Sequence, residues 1–207
     1  MKKILAIGGS VIKTALYELR QIIDKQFVEI LVHNGGSIFH DFQLAIDKNL
    51  KSHSYPLNDL LYSFSCNEEA SDLLIKWLQG EPAPEGSLTL QCQKSGIPVL
   101  LFTGLACDFW QLFLDDWTII AQQAKGDFDI LCSRMKTTFH YVCMGSAVIH
   151  PEVFIKAVAV SQPRDFIADV VDFKEMYRPM TRVARFGNYY KMEHREYLNK
   201  LLSGEIK

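Results

Sequence analysis

The 207-residue sequence predicts an α/β protein with a doubly wound, mostly parallel sheet. Three segments, 3–9, 28–36 and 99–104, each pass from a short apolar stretch into glycine, and a helical pattern follows. This succession is typical of parallel strands that are connected by helical crossovers. Polar side chains also come directly after these apolar stretches, at the edge of the sheet where open α/β proteins bind ligands.

The first fifty residues contain two strand–glycine–helix units. Lys3–Ile7 is predicted as the first strand, and Ser10 as the N-cap of a helix that runs to about Lys25. Val28–Val32 is predicted as the second strand, followed by a polar elbow and a helix over about 38–49.

The middle of the chain is more irregular. We expect two helices, Leu57–Phe64 and Glu68–Leu78, with Asn67 as the cap of the second. The proline- and glycine-rich segment 80–86 is predicted as a loop. Residues 87–93 fit a helix or a strand equally well, since a short apolar run does not separate the two.

Further strands are predicted in the second half of the chain. They are Val99–Phe102, Phe128–Cys132, Phe139–Met144 and, as the last one, Phe166–Val171. Helices are expected from Phe109 to Ala124, from Pro151 through Val160 and from Tyr189 to Leu202, with a basic irregular segment around Arg178. About six strands alternating with helices predict a Rossmann-like sheet in a single domain that spans residues 1–207.

Composition excludes several classes of protein. The formal net charge of −2 and the scattered basic residues give no indication of a nucleic-acid surface. No apolar segment is long enough for a membrane span, and the apolar run before Gly8 is shorter than the core of a signal peptide. Five cysteines without a CxxC pair are typical of reduced thiols, so we expect a cytoplasmic protein.

The segment after the second strand is the first candidate site. Asn34, Gly35 and Gly36 would present backbone to a ligand, and His40 with Asp41 opens the next helix. A neighbouring carboxylate makes a histidine a better general base. The alternative is structural, because Asn34 suits a turn and Asp41 suits a helix N-terminus. Adjacent helical residues do not face each other, so Asp41 also has the alternative of a different partner.

Other polar elbows repeat this arrangement. Gly104 and Asp108 follow the third strand, where Asp108 would bind a ribose hydroxyl or a cationic group, or cap a helix. Gly145 and Ser146 allow close backbone approach, and Glu152 lies in the first turn of the next helix, where electrostatics alone also favours it.

The last candidates lie near the carboxyl end of the chain. Tyr177 and Arg178 would recognise a carboxylate or phosphate, unless they belong to an ordinary surface loop. His194 and Glu196 are two residues apart and do not share a helix face. No HxxxH or CxxC spacing supports zinc, so no metal ligand is predicted.

Several blocks of this sequence together resemble an uncharacterised bacterial family related to deoxyhypusine synthase. They are, in chain order, HNGGSIFHDFQLA, GLACDFWQ, MGSAVIHPEVFIKAVAV, YRPMTRV and EHREYLNKLL. The family reads roughly N-G-A-x-x-I-H-D, G-T-D-x-x-H, G-S-A-V-x-x-P-E-V-F-x-K-A, Y-R-P-x-x-N-V and a terminal H-H-E. The matches span most of residues 28–202, and the GSAV block is the most specific.

The resemblance implies an NAD-binding Rossmann-type fold and a homo-oligomer, either a tetramer or a dimer. Deoxyhypusine synthase uses NAD to oxidise an amine carbon of spermidine and then transfers an aminobutyl group through a lysine imine. The positions that match the family's pattern are Asn34, Gly35, His40, Asp41, Gly104, Asp108, Gly145, Ser146, Pro151, Glu152, Tyr177, Arg178, Pro179, His194 and Glu196.

The departures from the family pattern leave two hypotheses. Phe109-Trp110-Gln111 stands where a histidine is expected, Arg195 replaces the second terminal histidine, and no segment matches the catalytic lysine region. The first hypothesis is an NAD-dependent enzyme for a small amine or amino-acid-like substrate, with His40, Asp41, Asp108 and His194 as catalytic residues. The second is a catalytically inactive nucleotide-binding module for regulation or assembly.

Overall fold

A computed structural model describes residues 1–47 and 64–206 of the chain. In these residues six parallel strands form one sheet, in the order β3-β2-β1-β4-β5-β6. The strands are β1 (Lys3–Ile7), β2 (Val28–Asn34), β3 (Val99–Phe102), β4 (Phe139–Met144), β5 (Phe166–Asp172) and β6 (Tyr189–Lys191). The strand order reverses between β1 and β4, as it does in Rossmann folds, and the predicted fold class is confirmed.

Helices cover both faces of the sheet. They are α1 (Gly9–Asp24), α2 (Gly35–Ile46), α3 (Phe64–Leu78), α4 (Leu88–Lys94), α5 (Thr118–Arg134), α6 (Ile149–Ser161), α7 (Tyr177–Arg182) and α8 (His194–Ser203). Two 3₁₀ turns, Phe109–Phe113 and Ala184–Phe186, complete the connections. Within the described residues, no helix has the length and apolar character that crossing a membrane requires.

The central strands are buried on both sides because their side chains alternate between two apolar cores. Leu5 and Ile7 of β1 pack with α1 and α8, while Ile4 and Ala6 face the other core, on the side of α5 and α6. A third cluster around Trp110 packs α2 and α3 against the end of the sheet.

Two predictions in the second half of the chain were wrong. The segment 128–132 is not a strand but lies inside α5, and the helix expected from Phe109 begins only at Thr118, after a 3₁₀ turn. A short, largely apolar segment is compatible with a strand or with a helix, and in this fold residues 128–132 pack as part of α5.

The end of the sheet also differs from the prediction. Phe166–Asp172 is not the last strand, because Tyr189–Lys191 pairs with its end and becomes β6. The final helix therefore begins at His194, five residues later than expected, and the segment around Arg178 forms the short helix α7.

Several helix starts differ from those expected. Ser10 lies inside α1, whose cap residue is Gly8, and Asn67 lies inside α3. The undecided segment 87–93 is helical, because the Ser87 side chain accepts a hydrogen bond from Leu90 N and caps α4. Pro151 is the third residue of α6. The helix predicted over residues 57–64 lies, except for its last residue, outside the described residues.

Candidate functional site

The elbows after β1 and β4 lie in close contact at two glycines. Gly8 N donates to Met144 O at 2.9 Å, and a Cβ on Gly8 would lie 1.8 Å from Gly145 O. Gly145 itself has φ of +62°, a conformation that favours glycine. Glycine is therefore needed at both positions, because the two elbows pack tightly, with the side chains of Ser10 and Val11 also 2.7 Å from a Cβ on Gly145.

The N-terminus of α1 opens at this point. Its cap residue, Gly8, offers no side-chain acceptor, and the first turn contains no acidic residue. Ser10 in that first turn is exposed. The first N–H groups of a helix have no intrahelical partner and lie at the positive end of the helix dipole, so the start of α1 leaves backbone donors that suit an anion.

The elbow after β2 lies beside α1. A Cβ on Gly9 would be 3.0 Å from His40 Cδ2 and 3.4 Å from Gly36 C. Asn34 caps α2, because its Oδ1 accepts a hydrogen bond from Ser37 N at 2.8 Å. Asn34 therefore serves its own helix, and His40 is the side chain of α2 that faces the start of α1.

Asp108 brings a carboxylate to the same edge. A Cβ on Gly35 would lie 1.9 Å from Asp108 Oδ2, and one on Gly36 would lie 3.7 Å from Oδ1. Oδ2 accepts a hydrogen bond of 2.5 Å from the Thr103 hydroxyl, and burial raises the pKa of the carboxyl group. In dinucleotide-binding Rossmann sheets a carboxylate near the end of the second strand binds the adenosine ribose.

Gln111 holds the loop that carries Asp108, and sequence reasoning missed this residue. Its buried amide donates to Gly104 O at 2.9 Å and accepts from Cys107 N at 3.0 Å. The loop needs this support because Ala106 has φ of +56°, which is unfavourable for a residue with a side chain. A glutamine three residues after an aspartate is a capping-box pattern, and that signal was available in the sequence.

Asp41 does not support His40 and does not lie in the candidate site. Its buried carboxylate accepts hydrogen bonds from Leu88 N, Thr89 N and Thr89 Oγ1 at 2.7, 2.9 and 2.8 Å. The prediction that Asp41 acts as a catalytic partner is therefore corrected: this residue caps α4. His40 Nδ1 instead pairs with Gln43 Oε1 at 2.8 Å.

His40 Nδ1 therefore faces an amide oxygen and not the carboxylate of its neighbour Asp41. Burial, followed by the nearby charge of Lys13, lowers the pKa of His40 to about 4. The side chain is neutral at physiological pH and acts there as a hydrogen-bonding group.

His194, the first residue of α8, lies behind the elbow at Gly145. Its ring is buried, and its Cε1 would be 3.1 Å from a Cβ on Gly145. Nδ1 lies 3.5 Å from Thr14 Oγ1, and Nε2 has no hydrogen-bond partner in the described part of the chain. Burial lowers the pKa of His194 to about 4.

Glu152 and Arg178 form part of an ion-pair cluster that joins α6 to α7. Glu152 Oε1 lies 2.6 Å from Arg182 Nε and 3.4 Å from Arg178 Nε, and Oε2 accepts from Lys156 Nζ at 2.8 Å. Tyr177 is 75% exposed beside this cluster. The carboxylate of Glu152 is therefore already surrounded by cations.

The remaining predicted residues divide between the site and the surface. Ser146 is buried at the Gly145 elbow, where its hydroxyl accepts a weak hydrogen bond of 3.4 Å from His150 N. Glu196 is exposed on α8 and pairs with Lys200 at 2.7 Å. The structure gives Glu196 a helix-surface ion pair and no contact with the other predicted residues in the described chain.

Arg195 and Asp172 have positions that the sequence did not reveal. Arg195, one of the departures from the family pattern, donates to Thr14 O at 3.0 Å and pairs with Glu18 at 3.2 Å, so it fastens α8 to α1. Asp172 ends β5 at the carboxyl edge, is buried, and has its pKa raised by burial. A polar residue directly after a buried strand was the available signal for Asp172.

In residues 1–47 and 64–206 no group of three or more His, Cys, Asp or Glu side chains is placed to hold a metal ion.

The fold resembles solved structures, although no family model and no curated protein matches the sequence. ArgZ, an arginine dihydrolase from the ornithine–ammonia cycle in cyanobacteria, gives a TM-score of 0.66 at 13% identity. AgrE in a ternary complex with ornithine and NAD+ gives 0.65 at 13% identity. In both cases 98% of this chain is covered, but the chain spans only 29% and 30% of the other protein.

A deoxyhypusine synthase is also among the structural neighbours. The putative enzyme from Entamoeba histolytica gives a TM-score of 0.54 at 11% identity, over 99% of this chain and 74% of that one. Likeness at this level of identity shows a shared Rossmann-like fold. The resemblance of the sequence blocks to this family therefore gains support in fold, and not in residue roles.

Proposed function

We propose that the protein binds a nicotinamide dinucleotide at the carboxyl edge between β1 and β4 and acts as an enzyme on a small amine or amino-acid-like substrate. The observation that carries the proposal is the uncapped N-terminus of α1, which opens where Gly8 and Gly145 meet at the reversal point of the sheet. A pyrophosphate is typically bound by helix N–H groups at the reversal point of such a sheet.

The residues present fit such a cofactor. The N–H groups of Gly9 and Ser10 would bind the pyrophosphate, and Asp108 would accept hydrogen bonds from the adenosine ribose. The backbone of four further elbow residues would line the groove: Gly35, Gly36, Gly104 and Gly145. When bound, NAD supplies a hydride acceptor for oxidation of a carbon that carries an amine or hydroxyl group.

His40 and His194 would act on the two sides of this groove. Both are neutral at physiological pH, because burial lowers the pKa of each to about 4. A neutral imidazole offers one donor and one acceptor, so each ring would orient a polar ligand group rather than hold a charge. The ornithine in the AgrE complex supports an amino-acid-like substrate for the enzyme hypothesis.

A second candidate is a nucleotide-binding module without turnover, which regulates or assembles with a partner. One observation favours it: His40, Asp108 and His194 pair with three different residues, Gln43, Thr103 and Thr14. Under either hypothesis we propose a homo-oligomer, a dimer or a tetramer.

Thermal unfolding of the purified protein tests the proposal. NAD+ and NADH are compared with ATP and spermidine as controls. A ligand at 100 times its dissociation constant stabilises the folded state by about 2.7 kcal/mol, which is a shift of several degrees. A shift with NAD+ or NADH supports cofactor binding, and no shift with either rejects it. NADH formation from NAD+ in the presence of ornithine or lysine then separates the enzyme from the inactive module.

A further inference from the structure

A second concave site lies between α5 and α6, just beyond the end of β3. This cleft has a volume of about 530 Å³, enough for a small organic molecule. Its floor is formed by Phe102 and Thr103, and its walls include Phe128 on α5 with Ile149 and Val153 on α6. The lining is almost entirely apolar, so the cleft would take up an apolar body.

Two charged side chains line the cleft, Lys125 and Glu152, and both belong to ion pairs. Glu152 lies on the α6 wall, but its two carboxylate oxygens are already paired with the three cations described above. Lys125 lies on the α5 wall, paired with Asp129. These ion pairs bring together four cations, Lys125, Lys156, Arg178 and Arg182, with two carboxylates, Asp129 and Glu152. A third carboxylate, that of Asp108, accepts a hydrogen bond from Thr103 on the floor.

We infer that this cleft binds a small organic acid with an apolar body and a single carboxylate. The carboxylate would lie beside Glu152, whose partners Arg178 and Arg182 each offer guanidinium donors beyond the Nε that faces Glu152. A cationic amine is disfavoured, because the carboxylate that would receive it is occupied and positive charge surrounds it.

The cleft adjoins the edge at which we propose the cofactor. Thr103 on its floor donates a hydrogen bond to Asp108, and a Cβ on Gly104 would lie 3.8 Å from Ile149 Cδ1. A molecule in the cleft would therefore lie next to the elbow after β3. That this acid is the substrate, an amino acid or 2-oxo acid with an apolar side chain, rests on the proposed function; that the cleft binds it does not.

Calorimetric titration with three matched probes tests the inference. Phenylpropionate, phenylpropanol and phenylpropylamine share an apolar body and differ in the charge of the end group. We expect phenylpropionate to bind about tenfold more tightly than the alcohol, and the amine to bind most weakly. Equal affinity of the acid and the alcohol, or no binding of the acid with or without NAD+, overturns the inference.

Two pairs of variants locate the site. Ala124→Phe fills the cleft and should abolish binding, whereas Ala159→Phe on the exposed face of α6 should leave it unchanged. Arg182→Gln should weaken phenylpropionate about tenfold without affecting the alcohol. Arg164→Gln, at an exposed arginine, makes the same change in net charge and should have no effect. Acid binding that survives Ala124→Phe places it elsewhere.

The outcomes separate this inference from the proposed function. A thermal shift with NAD+ but no binding of phenylpropionate overturns the cleft alone. Binding of phenylpropionate at the cleft without any effect of NAD+ supports the acid site and rejects the cofactor.

Discussion

At the scale of single residues, His40 and Asp41 show how neighbours in sequence separate in structure. Consecutive residues of a helix point about 100° apart, so one side chain faces α1 while the other faces α4. The Asp41 carboxylate accepts hydrogen bonds from two N–H groups of the first turn of α4 and from one hydroxyl. Burial raises the pKa of this carboxyl group, whereas the hydrogen bonds lower it. Its role is to position α4.

Asp41→Asn should therefore destabilise the fold. The substitution removes one acceptor oxygen and brings an amide donor against backbone donors, at an expected loss of about 2 kcal/mol in the free energy of unfolding. Urea unfolding measures the effect, and Asp72→Asn, at an exposed position on α3, should change stability by less than about 0.5 kcal/mol. If Asp41→Asn lowered NAD+ affinity at unchanged stability, the cap would be the wrong assignment.

Asp108 should make the protein bind NAD+ in preference to NADP+. Its carboxylate lies where the adenosine ribose would bind, and it repels a 2′-phosphate. We expect a thermal shift with NAD+ and none with NADP+ in the unmodified protein. Asp108→Asn should weaken NAD+ about tenfold, since hydrogen bonds to a charged group are worth more than neutral ones. An NADP+ shift as large as that of NAD+ would contradict this placement.

At the scale of elements, α1 carries the candidate site at one end and the contact with α8 further along. Its backbone leaves the helical range at Ala15, with φ of −142°. Nearby, Arg195 of α8 donates to the Thr14 carbonyl and pairs with Glu18. Two contacts from one arginine thus fix α8, and with it His194, against the helix that opens at Gly8.

Gly9→Ala should reduce cofactor binding with little loss of stability. The new Cβ would lie 3.0 Å from His40 Cδ2 and would narrow the approach to the first turn of α1. The matched control is Gly126→Ala in α5, where a Cβ meets nothing within 4 Å and should stabilise the helix by up to about 1 kcal/mol. Thermal shifts with NAD+ compare the two, and an equal NAD+ shift in both variants would remove Gly9 from the site.

A contact with the edge strand β3 explains why residues 128–132 belong to α5 although their sequence predicts a strand. Leu101 N donates to Asp127 Oδ2 at 2.6 Å, so a side chain of α5 satisfies a backbone group of an edge strand. The sequence around Asp127, GDFD, has the composition of a turn. The hydrogen bond from Leu101 N of the neighbouring strand stabilises Asp127 in its position inside α5.

At the scale of the whole molecule, three buried histidines and the half-buried His40 all have lowered pKa values. Burial is the largest cause that lowers the pKa of each: to about 3 for His33 and to about 4 for His40, His150 and His194. His150 donates from Nε2 to Ile7 O at 2.9 Å, so its neutral form is built into the end of β1. Protonation of any of these histidines in the folded state is unfavourable, because it places a positive charge where little water can solvate it.

Stability should consequently fall in acid. Because the folded pKa lies below the unfolded value of about 6.5, the unfolded state binds more protons as pH falls from 6.5 towards 4. A shift of about 2.5 units corresponds to roughly 3 kcal/mol per histidine once the pH reaches about 4. Urea unfolding between these pH values measures the loss.

His150→Gln provides the corresponding comparison, since its amide can still donate to Ile7 O. This variant should lose less stability than the unmodified protein between about pH 6.5 and 4, by up to one histidine's contribution. If the two proteins lost the same stability between these pH values, His150 would not contribute to the sensitivity to acid.

The sequence by itself determined the fold class, five of the six strands in the described chain, and the glycine-marked elbows after β1, β2, β3 and β4. These features are local, because a buried strand and the glycine that ends it are written in consecutive residues. The sixth strand and the helix over 128–132 depended on partners distant in the chain, β5 and Leu101.

Within the candidate site the same division applies. The sequence identified Asp108, His40 and the glycines as polar or flexible residues at strand ends and His194 as a residue of the final helix, but not which of them meet. Only the tertiary structure shows that Asp41 caps α4, that Asp108 lies against Gly35, and that Gln111 hydrogen-bonds the loop that carries Asp108. The physical reason is that hydrogen-bond partners and burial are set by elements far apart in sequence, and these decide whether a polar side chain serves a ligand or the fold.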